Sequence, residues 1–261
     1  MKNHGQKIAY LFLCFLLLTN CSSEEEAPVS RVTDETIRED FQAIPLSPGI
    51  KDISLEVAEG IYYNFRVIIP DVDLNERWPL VMAFHGASNG DPNAHKTTGC
   101  LIEPGFAGLD AFIIHPNADN FEWYEQENQH KIQTLLTLAT TYWPINFGRI
   151  LATGYSNGGN ASWLMAEVAS NVFTASIPMA SSYDISVTEN TSRKMNIPMY
   201  VIHGENDELF PIDVTKKWVD ESIAAGSDIT FVQADGLTHF KPCDYVSYLE
   251  DAVDWLKELW K

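Results

Sequence analysis

The chain has 261 residues, of which 45% are hydrophobic, and its 36 acidic side chains against 17 basic ones give a net charge of −19. A chain of this length can bury one substantial core. The acidic excess repels polyanions, so we expect no nucleic acid partner and disfavour a strongly anionic polysaccharide as a substrate.

The amino terminus has the pattern of an export signal. Lys2 and Lys7 give a positively charged start, and an apolar run over residues 8–18 follows, which is too short to span a bilayer. The segment ending at Cys21 resembles a bacterial lipoprotein signal, which implies that residues 1–20 are removed and that lipid is attached to the Cys21 thiol. Ordinary signal cleavage nearby is the alternative, because Asn20 is not the small residue usually found there.

Residues 21–45 are polar and acidic and lack periodicity, so they predict a flexible tether. The run from Ser22 to Glu26 resembles an address that takes some lipoproteins to the outer face of the outer membrane, and a solvated linker is the alternative. We therefore expect an exported protein with a lipid anchor in the bacterial outer membrane, with the cell surface as one location. A periplasmic or secreted protein is expected if Cys21 carries no lipid.

Residues 46–261 alternate between strand-like and helix-like segments and predict one α/β domain, with a mostly parallel sheet and helices on both faces. Residues 52–57 and 62–69 predict an antiparallel hairpin at the start of the sheet. Further strands are expected over residues 78–84, 111–115, 150–154, 175–179, 199–204 and 230–234. Helices are expected over residues 128–143, 161–168, 212–225 and 245–260.

The segment Gly154-Tyr155-Ser156-Asn157-Gly158 follows a predicted strand and precedes a predicted helix. A serine at such an apex has a strained backbone and an exposed hydroxyl, and the glycines leave the room that the tight turn requires. A lone Gly-x-Ser-x-Gly pattern is a weak signal, so its weight depends on partner residues elsewhere in the chain. With those partners, Ser156 is the predicted nucleophile.

Asp207 is the predicted acid of the site. It follows the strand at 199–204, and ligands of open α/β sheets gather at the carboxyl edge where that strand ends. A carboxylate is needed there to hold the catalytic base in the correct tautomer. Glu205 and Glu208 are the alternatives, and either could be a solvated loop residue.

His239 is the predicted base, because a serine hydroxyl needs a group that takes its proton. It lies beyond the last strand, at the same edge of the sheet. His85 and His203 are alternatives, each of which could instead be a hydrogen-bonded histidine at a strand end. The other histidines have no spacing typical of metal ligands, so we expect no metal and no cofactor.

The chain order Ser156, Asp207, His239 is that of the α/β-hydrolase superfamily. Together with Phe84-His85-Gly86-Ala87 and His115-Pro116-Asn117-Ala118, it resembles secreted esterases of the feruloyl esterase, acetyl-xylan esterase and polyhydroxybutyrate depolymerase group. The resemblance implies an α/β-hydrolase fold for residues 46–261. It also implies an oxyanion hole formed by the backbone amides of Ala87 and Asn157.

His85, Trp123 and Tyr124 are the candidate substrate-binding residues. The two aromatic residues lie in a loop after a predicted strand end and are expected to form a wall for a sugar or phenolic group, with plain packing as an equal alternative. Many relatives insert a cap domain at the position of residues 180–198, and this segment is too short for a multi-helix lid. An uncapped site favours a bulky or polymer-attached ester.

Cys100 and Cys243 are the cysteines of the predicted folded domain. In an exported protein such a pair suggests a disulfide between two active-site loops, and two buried free thiols are the alternative. Spacing alone does not choose between them.

These features predict a serine esterase that cleaves carboxylic esters through an acyl-enzyme, with acetyl or feruloyl esters of polysaccharides as substrates. The alternatives are a polyester or short-chain lipid esterase, a prolyl oligopeptidase-like peptidase and a non-catalytic surface binding protein. The peptidase class usually has an additional propeller domain, for which this chain has no room. A binding protein would be expected to have lost a triad member. The oligomeric state is not predicted.

Overall fold

The computed structural model describes residues 31–188 and 191–261. The folded unit spans Val32–Lys261. The predicted signal over residues 1–20 and the lipid site at Cys21 lie outside the described residues. Within the described part of the chain, none of the helices combines the length and the apolar character needed to cross a membrane.

The fold is built on an eight-stranded sheet with the order β1-β2-β4-β3-β5-β6-β9-β10. The predicted hairpin is confirmed, since β1 and β2 are antiparallel; β2 also runs antiparallel to β4, and the other pairs of the sheet are parallel. All the predicted strands are present, several of them longer than expected. The strands are β1 (Gly49–Ala58), β2 (Ile61–Ile69), β3 (Trp78–Phe84), β4 (Phe112–Pro116), β5 (Ile145–Tyr155), β6 (Ala175–Met179), β7 (Ser186–Thr188), β8 (Thr191–Ser192), β9 (Met199–Asn206) and β10 (Ile229–Thr238).

Helices cover both faces of the sheet, and the four predicted helices are confirmed. Two short 3-10 helices, Ala94–Lys96 and Pro242–Tyr245, lie between longer elements. The α-helices are α1 (Asp34–Gln42), α2 (Gly99–Gly105), α3 (Gln126–Tyr142), α4 (Asn157–Val168), α5 (Ile212–Ala224) and α6 (Val246–Leu259).

The hydrophobic core is divided by the sheet into two layers. Successive side chains of a strand point to opposite faces. On β3, Leu80 and Met82 therefore join the layer that contains Phe41 and Trp163, whereas Val81 joins the layer that contains α6. Burial on both faces explains why these strands are nearly continuous apolar runs.

The tether prediction for residues 21–45 is wrong where α1 (Asp34–Gln42) lies, and residues 21–30 lie outside the described residues. Thr33 and Thr36 form a reciprocal capping box, which satisfies backbone amides at the start of the helix. Phe41 is fully buried and stacks on Trp143 with ring centroids 4.9 Å apart. The folded domain thus begins about a dozen residues earlier than predicted, because this buried aromatic face anchors the acidic helix.

The segment 180–198 carries only the short antiparallel pair of β7 and β8 in its described residues. As expected from its length, no large cap is formed by this described segment. The disulfide between Cys100 and Cys243 is present, with Cα atoms 5.3 Å apart. It links α2 to the 3-10 helix that follows His239, so it ties together two segments near the predicted site.

Candidate active site

Ser156 lies at a sharp turn between β5 and α4. Its backbone has φ 58° and ψ −122°, a conformation that L-residues rarely adopt. Glycine is required on both sides, because a Cβ atom on Gly154 would overlap the carbonyl of Gly158, and one on Gly158 would overlap the carbonyl of Phe84. The turn predicted from the glycine pattern is therefore formed, with the serine at its apex.

His239 lies beside Ser156, with its Nε2 atom 2.8 Å from the serine Oγ atom. The ring is also contacted edge-on by Phe210, with centroids 5.3 Å apart. The hydroxyl of Tyr155 donates a 2.6 Å hydrogen bond to the carbonyl of His239. The histidine is thus held by both its ring and its backbone at the end of β10.

Asp207 completes the chain of hydrogen bonds, since its Oδ2 atom lies 2.8 Å from His239 Nδ1. Its other oxygen accepts the backbone N–H groups of Leu209 and Phe210 at 3.0 and 2.7 Å. Burial by itself raises the pKa of Asp207, but the hydrogen bonds from His239 and the Phe210 amide outweigh burial and hold that pKa below its usual value. The structure therefore brings the three predicted triad residues together with an ionised carboxylate.

The alternative acids have other contacts. Glu205 accepts the backbone N–H of Gly236 at 2.8 Å, and Glu208 accepts the backbone N–H of His239 at 2.9 Å. Glu205 at the end of β9 is thus joined to β10, and Glu208 in the loop after β9 is joined to the residue that follows β10. Neither replaces Asp207 at the His239 ring.

The alternative base His203 is fully buried and donates from Nε2 to the carbonyl of Phe210 at 2.7 Å. Burial lowers its pKa. Its role is to support the loop that carries Asp207, and it does not contact Ser156 among the hydrogen bonds of the described residues.

The predicted oxyanion donors flank Ser156. The loop that carries Ala87 is close enough that a Cβ atom on Gly86 would lie 3.4 Å from the Cβ atom of Ser156. Asn157 is the first residue of α4 and directly follows the serine. Within the described part of the chain, neither amide donates to another residue, so both are available to an oxyanion.

The prediction that His85 binds substrate is wrong, because its side chain is buried and both ring nitrogens face the backbone. Nε2 accepts the N–H of Ala118 at 2.9 Å, and Nδ1 donates to the carbonyl of Gly86 at 2.6 Å. Burial lowers the pKa of His85 to about 4, which keeps it neutral. His85 therefore links the oxyanion loop to the loop after β4.

The two aromatic candidates differ from each other. Trp123 is 3% exposed and donates from Nε1 to the carbonyl of His85 at 3.0 Å, which agrees with the packing alternative. Tyr124 is 70% exposed and lines a cleft with Tyr183 and Leu164. Of the two, Tyr124 is the one exposed to a ligand.

Two supporting residues were not predicted. Asn128 is fully buried and donates from Nδ2 to the carbonyls of Ala118, Phe121 and Glu122 at 3.0, 3.0 and 3.2 Å. Lys131 is also buried, and its Nζ atom lies 2.5 Å from the Asn117 carbonyl and 2.5 Å from Asp119. One available signal was a polar residue on the inward face of a predicted helix, since such a residue needs a buried partner.

The arrangement can generate a nucleophile, move a proton and stabilise an oxyanion. Among the residues that the structure describes, no group of three or more histidine, cysteine or acidic side chains is positioned to hold a metal ion. Acyl transfer to a serine needs only the three functions just described.

Solved structures of several hydrolases have a similar fold. A thermostable esterase matches with a TM-score of 0.64 and 20% identity, over 85% of this chain and 63% of that protein. The fluorophosphonate-binding serine hydrolase FphF of Staphylococcus aureus matches with a TM-score of 0.66 and 14% identity, over 80% and 99% of the two chains. Esterase 2 of Thermogutta terrifontis gives 0.61 and 16%, over 81% and 93%.

At these identities the structural matches establish the fold, and this chain spans less than two thirds of the thermostable esterase. No curated protein sequence matches the chain significantly. The described residues form an α/β-hydrolase-like fold, and this fold brings Ser156, His239 and Asp207 into one hydrogen-bonded chain. Residues 124–253, just under half of the chain, match the dienelactone hydrolase family.

Proposed function

We propose that the protein cleaves acetyl or hydroxycinnamoyl esters of polysaccharides, with Ser156 as nucleophile, His239 as base and Asp207 as the residue that orients the base. The observation that carries this proposal is the hydrogen-bonded chain from Ser156 through His239 to Asp207, with both links at 2.8 Å. In this geometry, the serine hydroxyl can lose its proton as it attacks.

In the first half-reaction, the Oγ atom of Ser156 attacks the ester carbonyl and its proton passes to Nε2 of His239. The amides of Ala87 and Asn157 stabilise the negative oxygen of the tetrahedral intermediate, and loss of one such donor typically costs about 3 to 4 kcal/mol of barrier. The intermediate collapses when His239 delivers the proton to the departing alcohol, which leaves the acyl group on Ser156.

In the second half-reaction, His239 takes a proton from water, and the resulting nucleophile attacks the acyl-serine. The second tetrahedral intermediate uses the same two amides. On collapse, the carboxylic acid is released and the proton returns from His239 to the Oγ atom of Ser156. Asp207 keeps its negative charge throughout and stabilises the imidazolium.

A polymer-attached alcohol is favoured by the open mouth of the site. Three apolar side chains near the triad are strongly exposed, namely Tyr124, Leu209 and Phe240. Leu209 and Phe240 directly neighbour the loops of Asp207 and His239, and the described segment 180–198 carries only two short strands. These exposed groups could contact sugar rings while the ester enters the site.

The test is hydrolysis of chromogenic acetate, butyrate, octanoate and ferulate esters, together with release of acetate or ferulate from esterified xylan. Ser156→Ala should abolish turnover on every substrate while keeping the wild-type circular dichroism spectrum. Retained turnover in the purified variant would contradict the nucleophile. A Ser156-dependent peak at octanoate, with no release from xylan, would contradict the polysaccharide substrate and favour a lipid or polyester.

We also propose that lipid on Cys21 anchors the protein in the outer membrane of a bacterial cell. This proposal is supported by the basic start, short apolar run and cysteine of the amino-terminal sequence. Radiolabelled palmitate should be incorporated into the full chain and not into a Cys21→Ala variant. Equal partitioning of both proteins into the aqueous phase of a detergent separation would contradict the anchor.

A further inference from the structure

Two cavities lie on either side of Glu122. The first, the oxyanion-side cavity, has a volume of about 240 Å³ and is lined by residues that include Ala87 and Asp119. The second, the aromatic cleft, has a volume of about 270 Å³ and is lined by residues that include Tyr124 and Tyr183. Glu122, Trp123 and Asn157 line both cavities, so these three residues form the partition between them.

The exposed part of this partition is one hydrogen bond. Asn157 donates from Nδ2 to the Oε2 atom of Glu122 at 2.5 Å, and the two residues belong to the start of α4 and to the loop after β4. A hydrogen bond to a carboxylate is stronger than one between neutral groups. Because the backbone amide of Asn157 is a proposed oxyanion donor, the bond passes directly beside the expected position of the ester carbonyl.

The backbone of Glu122 is fixed, whereas its side chain is exposed. Asn128 binds the carbonyl of Glu122 at 3.2 Å, and the neighbouring Trp123 donates to the carbonyl of His85 at 3.0 Å. The loop therefore presents Glu122 in one place, and only side-chain rotation can open the partition. Such a fixed frame is what selection between substrates requires.

The linings of the two cavities differ in chemistry. The oxyanion-side cavity is surrounded by polar residues such as Ser88, Asn89 and Asn120, whereas the aromatic cleft is formed by Tyr124, Tyr183 and Leu164. An acyl group that is long or aromatic would gain contact area in the cleft, but it must pass the Glu122–Asn157 bond to reach it. A short acyl group does not need this passage.

On the basis of the proposed function, we infer that Glu122 is a specificity-determining residue: its hydrogen bond to Asn157 closes the aromatic cleft to the acyl group and makes the enzyme select acetyl over hydroxycinnamoyl and longer acyl esters. One methylene group more or less in a hydrophobic pocket changes the preference between related substrates by about 10- to 200-fold. The geometry thus favours acetyl esters within the proposed substrate class.

The experiment measures kcat/KM for chromogenic acetate, octanoate and ferulate esters in wild type and in Glu122→Ala, Glu122→Ser and Glu122→Gln. Removal of the carboxylate in the Ala and Ser variants should raise the octanoate-to-acetate and ferulate-to-acetate ratios about tenfold or more. Gln keeps an oxygen that can accept from Asn157, so its ratios should stay near wild type. Glu250→Ala, which removes an exposed acid of α6, is the matched control.

Unchanged ratios in the Ala and Ser variants would overturn the inference, as would an equal rise in the Gln variant, because charge and not the hydrogen bond would then be responsible. Loss of acetate turnover in all three variants would also overturn it, since Glu122 would then be needed for the reaction itself. The proposed function is judged separately, by the Ser156 dependence of wild-type hydrolysis.

Discussion

The acid–base side of the site and its oxyanion side are supported in different ways. On the acid–base side, acidic side chains of the motif itself join the ends of β9 and β10: Glu205 in β9 accepts the N–H of Gly236 in β10, and Glu208 after β9 accepts the N–H of His239 after β10. On the oxyanion side, the reacting groups are backbone amides, and buried polar side chains such as His85 and Asn128 hold the loops that carry them. Backbone donors therefore depend on residues that never touch substrate.

The first way to test this difference is to remove the charge of Asp207 with Asp207→Asn. The amide no longer enforces the correct tautomer of His239, so kcat should fall by about 10⁴-fold, with little change in stability. Glu205→Gln keeps an oxygen for the Gly236 amide and should remain near wild type. The measurement is kcat on an acetate ester at pH 7, and an equal loss in both variants would contradict the separate role of Asp207.

Removal of the disulfide tests whether the acid–base side and the oxyanion side of the site need a covalent link. Cys100 lies in α2, and Cys243 follows His239, so the double variant Cys100→Ser, Cys243→Ser releases a loop of 143 residues. We expect a loss of up to about 5 kcal/mol in the free energy of unfolding, as chain entropy allows for so long a loop. Guanidinium unfolding measures this loss. Because hydrogen bonds also hold the loops, kcat should change by less than about threefold, and a collapse of kcat in folded protein would contradict this expectation.

Low pH should lower the free energy of unfolding through His85, which supports the oxyanion side of the site. Its pKa is 6.5 when unfolded and about 4 when buried in the folded protein, so the unfolded state binds the proton first. Above pH 6.5, His85 is neutral in both states and does not lower the free energy of unfolding. As the pH falls from 6.5 toward 4, protonation of His85 in the unfolded state lowers the free energy of unfolding by about 3 kcal/mol in total. His85→Gln should remove that share of the pH dependence, as measured by urea unfolding at several pH values.

The control for this experiment is Gln133→Ala, which removes an exposed side chain of α3 that carries no titratable group. It should retain the wild-type dependence of stability on pH. If His85→Gln also retained it, burial of a neutral imidazole would not be the source of the acid sensitivity.

The smallest expected effect concerns the hydrogen bond that holds the backbone of His239, the catalytic base. Tyr155→Phe removes the hydrogen bond to the His239 carbonyl and should cost about 1 kcal/mol of stability, with a fall in kcat of a few fold. Tyr248→Phe removes an exposed hydrogen bond, which the Tyr248 hydroxyl accepts from the Asp235 amide away from the His239 ring. It should lower the free energy of unfolding by less than Tyr155→Phe does, and it should leave kcat unchanged. Equal kcat values for the two variants would show that Tyr155 does not position His239.

Much of the fold followed from the sequence, because buried parallel strands are short apolar runs with clear boundaries. The bounds of β3 and β6 were predicted to the residue. Helix α2 was missed, since Pro104 and two glycines within seven residues are unfavourable for a helix. Helix α1 was missed because its acidic composition is typical of a solvated segment, although Ile37 and Phe41 have helical spacing.

The triad could be predicted because each member follows a strand at the same edge of the sheet. The supporting residues could not be predicted, since the sequence does not distinguish a histidine that binds substrate from one that binds the backbone. His85 was assigned to substrate for this reason, and only its burial and its bond to Ala118 show its role. The Glu122–Asn157 bond likewise joins residues 35 positions apart and has no local pattern.

Helix α1 determines how far the protein can be shortened from its amino terminus. A version that begins at residue 46 would lack Phe41 and Ile44, and the face of Trp143 on which Phe41 stacks would be uncovered. Newly uncovered aromatic surface promotes self-association. A version that begins before Thr33 retains the helix together with its cap. The starting residue chosen for expression would therefore decide solubility and storage life.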